Sequence, residues 1–110
     1  MDTDTEIELE IRMRGEVERL LEEIEAGKED AAPPESLDGT IGRLSRQDSL
    51  MQQEMAKDAQ RRRMLRLHLL QQALARMDEG TYGICPNCGG EIAADRLMET
   101  PEAPLCAACS

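Results

Sequence analysis

Two Cys-x-x-Cys pairs, Cys85-Pro86-Asn87-Cys88 and Cys106-Ala107-Ala108-Cys109, are separated by seventeen residues. A two-residue spacer lets one tight turn aim both sulfurs at a single ion, and the backbone amides of that turn can hydrogen-bond the thiolates. Gly89, directly after Cys88, permits the backbone angles such a knuckle needs. Two knuckles close a tetrahedral site with Zn–S distances of about 2.3 Å, and the intervening loop falls in the zinc-ribbon range. The spacing therefore predicts a structural zinc ion held by Cys85, Cys88, Cys106 and Cys109. An iron–sulfur cluster or a redox dithiol would use the same residue type. A thioredoxin-like dithiol wants a βαβ context, and none is visible. Four thiolates leave no open coordination position, whereas a catalytic zinc keeps one for water.

The rest of the chain has little else to fold around. Hydrophobic residues make up 40% of the 110, yet Tyr82 is the one aromatic. Large cores draw much of their buried area from aromatics, so the apolar content must be spread along elongated elements. Abundant Leu, Met, Glu, Arg, Gln and Ala point to long helices. A chain this thin on core needs a staple, and the cysteines supply it.

Leu9, Met13, Val17, Leu20 and Ile24 form one helical stripe. The predicted first helix runs over about 5–27, with Thr5 as N-cap, Glu8 in capping-box position and Gly27 as its stop. Ala32-Pro33-Pro34-Glu35, then Gly39 and Gly42, break the pattern. The predicted tip covers about 28–47. Ser45-Arg46-Gln47-Asp48 has capping-box form, which starts a second helix over about 45–79; starts near Ser36 or Asp38 stay open. No Pro or Gly interrupts Asp48 to Asp78. Met51, Met55, Leu65, Leu69 and Ala73 fall on one stripe, which Leu67, Leu70, Leu74 and Met77 widen. Gly80 ends this helix.

The fold class expected is mainly α: an antiparallel two-helix coiled-coil hairpin over 1–80, followed by a small four-cysteine zinc finger over 81–110. Charge supports the pairing. Residues 1–30 carry twelve acids and four bases, while residues 31–80 carry seven acids and eight bases. The acidic first arm would face Arg61, Arg62, Arg63 and Arg66 of the second.

The net charge of −10 disfavours direct binding to DNA or RNA. The Arg61–Arg63 run reads as internal ion pairing rather than a nucleic-acid patch. The first residues lack the basic start and apolar run of a signal peptide, and no apolar stretch approaches a membrane span. The chain reads as cytoplasmic, where paired cysteines bind metal more often than they form disulfides. His68, the single histidine, falls mid-helix and reads as a packed or solvated helix residue. There is no nucleophile–base pair and no phosphate loop, so an enzyme is not expected.

Glu79-Gly80-Thr81-Tyr82-Gly83-Ile84-Cys85-Pro86-Asn87-Cys88-Gly89, then Ile92, Arg96-Leu97, Pro101, Leu105-Cys106 and Cys109, strongly resemble the DksA/TraR family over about residues 62–110. Gly42-Arg43-Leu44-Ser45-Arg46 with Asp48 resembles a form common among shorter, DksA-like members. The resemblance implies a transcription regulator that binds bacterial RNA polymerase rather than DNA. It would insert its coiled-coil hairpin through the secondary channel, with acidic tip residues near the polymerase active site. It also brings in the alarmone ppGpp, although the outer segments that help form its site in longer members find no match here.

The tip departs from the family pattern. Well-known members carry Asp-x-x-Asp-x-Ala there, and those acids would fall near Gly42 and Ser45, with Arg46 matching the following base. Asp38, Arg43, Ser45, Arg46 and Asp48 are the candidate tip residues for partner binding. Asp38 and Asp48 are the nearest carboxylates; Glu29, Asp30 and Glu35 read as solvated loop. The alternative function is a zinc-stapled helical-hairpin interaction protein with another protein partner.

Overall fold

A computed structural model of the chain describes residues 2–31 and 43–110. Two long helices, α1 (Thr3–Ala31) and α2 (Arg43–Glu79), are followed by one short helix, α3 (Ala94–Glu99). There is no named strand among the described residues, and a single antiparallel bridge joins Ile84 to Glu91. The molecule is a rod of 62 × 26 × 20 Å.

Helix α1 begins earlier than a cap at Thr5 predicts. Asp2 is the cap: its Oδ1 accepts the Thr5 amide at 2.7 Å and its carbonyl accepts the Glu6 amide at 3.1 Å. The hydrogen bond from Thr5 holds the Asp2 carboxyl below its ordinary pKa, as expected for an anion among the free amides of a helix N-terminus.

Nor does α1 stop at Gly27. The helix runs on to Ala31, and Gly27 is buried within it. A Cβ at Gly27 would lie 2.8 Å from Gln60 Oε1 and 3.0 Å from Arg63 Nη1. Gly27 is a notch for close approach of α2, so its missing side chain serves packing rather than termination. Helix α2 is described from Arg43, which puts Ser45 inside the helix rather than at its cap. The segment 32–42, with both prolines, lies outside the described residues.

The packed face of α2 meets the first stripe read in the sequence only at its C-terminal end, where Ala73 is fully buried and Leu69 half-buried. Met51, Met55 and Leu65 are 64%, 69% and 60% exposed. The buried side follows a stricter repeat: Gln53, Gln60, Leu67 and Leu74, alternating with Ala56, Arg63, Leu70 and Met77. This is the alternating three–four spacing of a coiled coil, with polar residues at several seam positions. Leu67, Leu70, Leu74 and Met77, which widened the expected stripe, are the seam of its lower half.

The two helices are bridged by charge only in part as expected. Arg66 reaches Glu16 of α1 at 3.1 Å, and Arg63 lies 3.9 Å from Glu23. Arg61 and Arg62 instead pair with Asp58 on their own helix at 3.5 and 2.9 Å. Heptad position decides this: residues 61 and 62 are exposed away from the seam, 63 occupies a seam position and 66 flanks it.

One apolar cluster runs through the base of the hairpin into the cysteine segment. Leu9, Met13 and Leu20 of α1 share it with Leu70 and Ala73 of α2 and with Tyr82, Cys85, Ile92 and Leu97 beyond. The finger is fused to the hairpin through a common core. Among the described residues no helix is long and apolar enough to cross a membrane.

Candidate metal centre

The approach to the site is set at Gly80. With φ of 78°, Gly80 lets its amide bond the Met77 carbonyl at 3.2 Å and the Thr81 amide bond the Arg76 carbonyl at 2.9 Å. These are the two hydrogen bonds of a Schellman stop. The chain then drops Tyr82 into the core, where it is 8% exposed and donates its hydroxyl to the Pro101 carbonyl at 2.9 Å. Burial pushes the Tyr82 phenol up to about 12.

The first knuckle follows. The Cys85 amide bonds the Gly90 carbonyl at 2.8 Å, and the Gly89 amide returns to the Cys85 carbonyl at 2.8 Å. Gly89 sits at φ 74°, a conformation that side chains disfavour. The Ile92 amide bonds the Gly83 carbonyl at 2.7 Å and closes the small ribbon that carries this knuckle. At the second knuckle the amides of Cys109 and Ser110 both bond the Cys106 carbonyl at 3.0 Å.

Helix α3 joins the two. Leu97 is fully buried beneath it, and Arg96 Nε donates to the Leu105 carbonyl at 3.0 Å, one residue before Cys106. The Arg-Leu pair thus anchors the loop from below and steers the second knuckle toward the first.

The four sulfurs of Cys85, Cys88, Cys106 and Cys109 all lie within 4.8 Å of one another. Cys88 Sγ and Cys106 Sγ are 3.7 Å apart. A regular tetrahedron with metal–sulfur bonds of about 2.3 Å has edges of about 3.8 Å, so this separation fits a shared ion. The protonation chemistry fits as well. Backbone hydrogen bonding from Cys106, then from Cys88 and Asn87, lowers the Cys85 thiol to about 6 despite burial. The Asn87 side chain draws Cys109 down, but contacts with Cys106, Cys85 and Cys88 carry it up to about 12. Cys85 thus gives up its proton readily while Cys109 keeps its own, and a dication shared by the cluster would take the protons' place. The donor set is that of a structural zinc.

Residues 80–109 match the family described as the prokaryotic dksA/traR C4-type zinc finger. The chain carries a DksA/TraR zinc finger. A solved structure titled "Structure of transcription factor DksA2 from Pseudomonas aeruginosa" is similar with a TM-score of 0.80 and 22% identity, covering 99% of this chain and 82% of that one. The hairpin-and-finger fold is therefore DksA-like along its length. An uncharacterized protein of Aquifex aeolicus (strain VF5) is 47% identical over 38 residues, which is 34% of this chain. The match spans 26% of that relative's length.

Four of the tip candidates from the sequence lie at the N-terminal end of α2, whereas the cysteine segment follows its C-terminal end. Arg43, Ser45 and Arg46 lie in the first turn of α2, and Asp48 is exposed in its second. Asp38 lies outside the described residues. His68 is exposed on α2 and belongs to no cluster of metal-binding side chains among the described residues. What sequence reasoning missed is Arg66 as a three-way junction. Its guanidinium reaches Glu16 of α1 and Glu102 of the finger loop at once. A base facing an acidic helix suggested the first contact; nothing local pointed to the second, across 36 residues of sequence.

Proposed function

We propose that the chain is a DksA-like transcription regulator that binds bacterial RNA polymerase through its secondary channel with the hairpin tip, without contacting DNA and without catalysis of its own. The observation that carries this reading is the 62 Å rod with its zinc-fastened base at one end. Such a shape delivers one end of a helical pair deep into a partner while the other end stays outside. The acidic net charge supports a protein partner over a nucleic acid. A cytoplasmic location follows from the same reading.

Within it, Asp38, Arg43, Ser45, Arg46 and Asp48 form the working tip, and Asp38 or Asp48 supplies the carboxylate that the family's Asp-x-x-Asp-x-Ala motif would provide. The zinc holds the base rather than acting on a substrate. Responsiveness to ppGpp is a separate property, read by repeating the transcription assay with the nucleotide.

The test is a polymerase-binding assay with the full zinc-loaded chain and with a chain lacking residues 30–48, coupled to transcription from a stable-RNA promoter. The full chain should bind and repress, and the shortened one should lose the repression. Zinc-loaded, folded protein that neither binds polymerase nor alters transcription would refute the proposal. Recovery of a different stoichiometric protein would then favour a hairpin interaction module. Ala at Asp38, Arg46 and Asp48 tests the tip assignment separately; parent-like transcription from all three variants would overturn it.

A further inference from the structure

We propose that the hairpin is two thermodynamic units, a stem fused to the finger and a distal arm closed by a latch between Gln60 and the backbone of Ile24.

The seam changes character along its length. Near the finger it is apolar: Leu9, Met13 and Leu20 pack with Leu70 and Ala73, and Val17, Leu67, Leu74 and Met77 close the sides. Beyond Leu20 and Leu67 the described seam holds Ile24 and Gly27 on α1 against Gln53, Ala56, Gln60 and Arg63 on α2. No member of the apolar cluster lies in that half among the described residues. Helical pairs owe most of their stability to a packed apolar face, so the described part of the distal half, residues 24–28 against 53–63, has little apolar packing to resist opening.

What it has instead is a directional contact. Gln60 is buried, and its Nε2 donates to the Ile24 carbonyl across the helix pair at 2.8 Å. Its Oε1 accepts from Arg63 Nη1 at 2.8 Å, and Arg63 in turn lies beside Glu23 of α1. Gly27 leaves the space: a Cβ there would press on Gln60 Oε1 at 2.8 Å and Gln60 Cδ at 3.0 Å. A hydrogen-bonded amide fixes register and orientation where apolar packing would fix only contact. Opened, both Gln60 and the Ile24 carbonyl regain water, so the penalty is small and the motion reversible. The stem offers no such exchange, because opening it would expose the shared core. An arm built this way opens between residues 24–28 and 53–60 without unseating the cysteine cluster. This inference rests on the seam alone and stands or falls apart from the polymerase reading.

The test is amide hydrogen exchange on the full zinc-loaded chain. Amides of residues 53–60 and 24–28 should exchange roughly tenfold or more faster than those around Leu9, Met13 and Leu70. Gln60→Ala should raise distal exchange by about threefold to tenfold, the worth of one hydrogen bond, and leave the stem unchanged. Gly27→Ala should act in the same direction alone yet add little in the Gln60→Ala background, since both break one contact. Equal rates in the two halves would overturn the proposal. So would a Gln60→Ala effect of the same size in both halves, or none in the distal half, which would leave ordinary end fraying as the cause.

Discussion

The guanidinium of Arg66 on α2 lies 3.3 Å from a carboxylate oxygen of Glu102, whose side chain is only 12% exposed. The other oxygen of Glu102 is buried with no hydrogen-bond partner. Arg66 is therefore the one charge offsetting a largely desolvated carboxylate among the described contacts, while it also ties Glu16 of α1. Arg66→Ala should destabilise the zinc-loaded protein by about 2 kcal/mol in urea unfolding, because it leaves Glu102 without compensation. Adding Glu102→Gln should recover part of that loss. Exposed pairs such as Arg62–Asp58 should each be worth less than about 1 kcal/mol.

Tyr82 sets an alkaline limit. Its phenol is raised to about 12 in the folded chain against 10.0 for an ordinary tyrosine. Between those values the folded state keeps a proton that the unfolded state has lost, so stability is full below pH 10 and falls as pH rises toward 12. The loss is on the order of 1 kcal/mol after allowance for solvent screening. Tyr82→Phe removes the hydrogen bond to the Pro101 carbonyl, costs about 1 kcal/mol at neutral pH, and should flatten that limb in thermal melts from pH 9 to 12.

Zinc loading should release protons. With Cys109 held up near 12 in the metal-free cluster, its thiol is protonated at pH 7 and must lose that proton to ligate. Calorimetry in two buffers of different ionisation enthalpy should count at least one proton released per zinc. Affinity should fall as pH falls toward and below 6, where even Cys85 is protonated. A chelator should then lower the melting temperature and loosen the hairpin base along with the finger, since both draw on one core. A base that stays intact without metal would contradict that coupling.

The two faces of α2 should respond differently to truncation. Leu70→Ala removes a fully buried side chain and should cost about 2–5 kcal/mol. Met55→Ala and Leu65→Ala, at 69% and 60% exposure, should each stay within about 0.5 kcal/mol of the parent in the same unfolding assay.

Cysteine spacing was the most legible feature of the sequence because a knuckle is local: two residues between ligands leave the chain few ways to turn. The hairpin was legible for a similar reason, since the stripe from Leu9 to Ile24 repeats over short distances. The fine structure of α2 was not. Gln53, Gln60 and Arg63 occupy seam positions without being apolar, and the stripe through Met51 and Met55 reaches the packed face only at Ala73. Gly27 misled because a glycine near the end of an apolar run reads as a stop, while its role depends on Gln60, which only the paired helices reveal. Asp2 was overlooked beside Thr5 for want of any rule that separates two good caps three residues apart.

The core that joins Leu9 to Leu97 has a consequence for the order in which the molecule can be made. As the chain leaves the ribosome, the first helix emerges with half of its apolar wall absent. The second helix arrives and can zip against it, but Tyr82, Ile92 and Leu97 come only with the cysteines. Until then Leu9, Met13 and Leu70 lack those partners, and closing the four-cysteine site should be what completes the wall. Zinc supply during synthesis should thus set how long each new molecule remains exposed to aggregation.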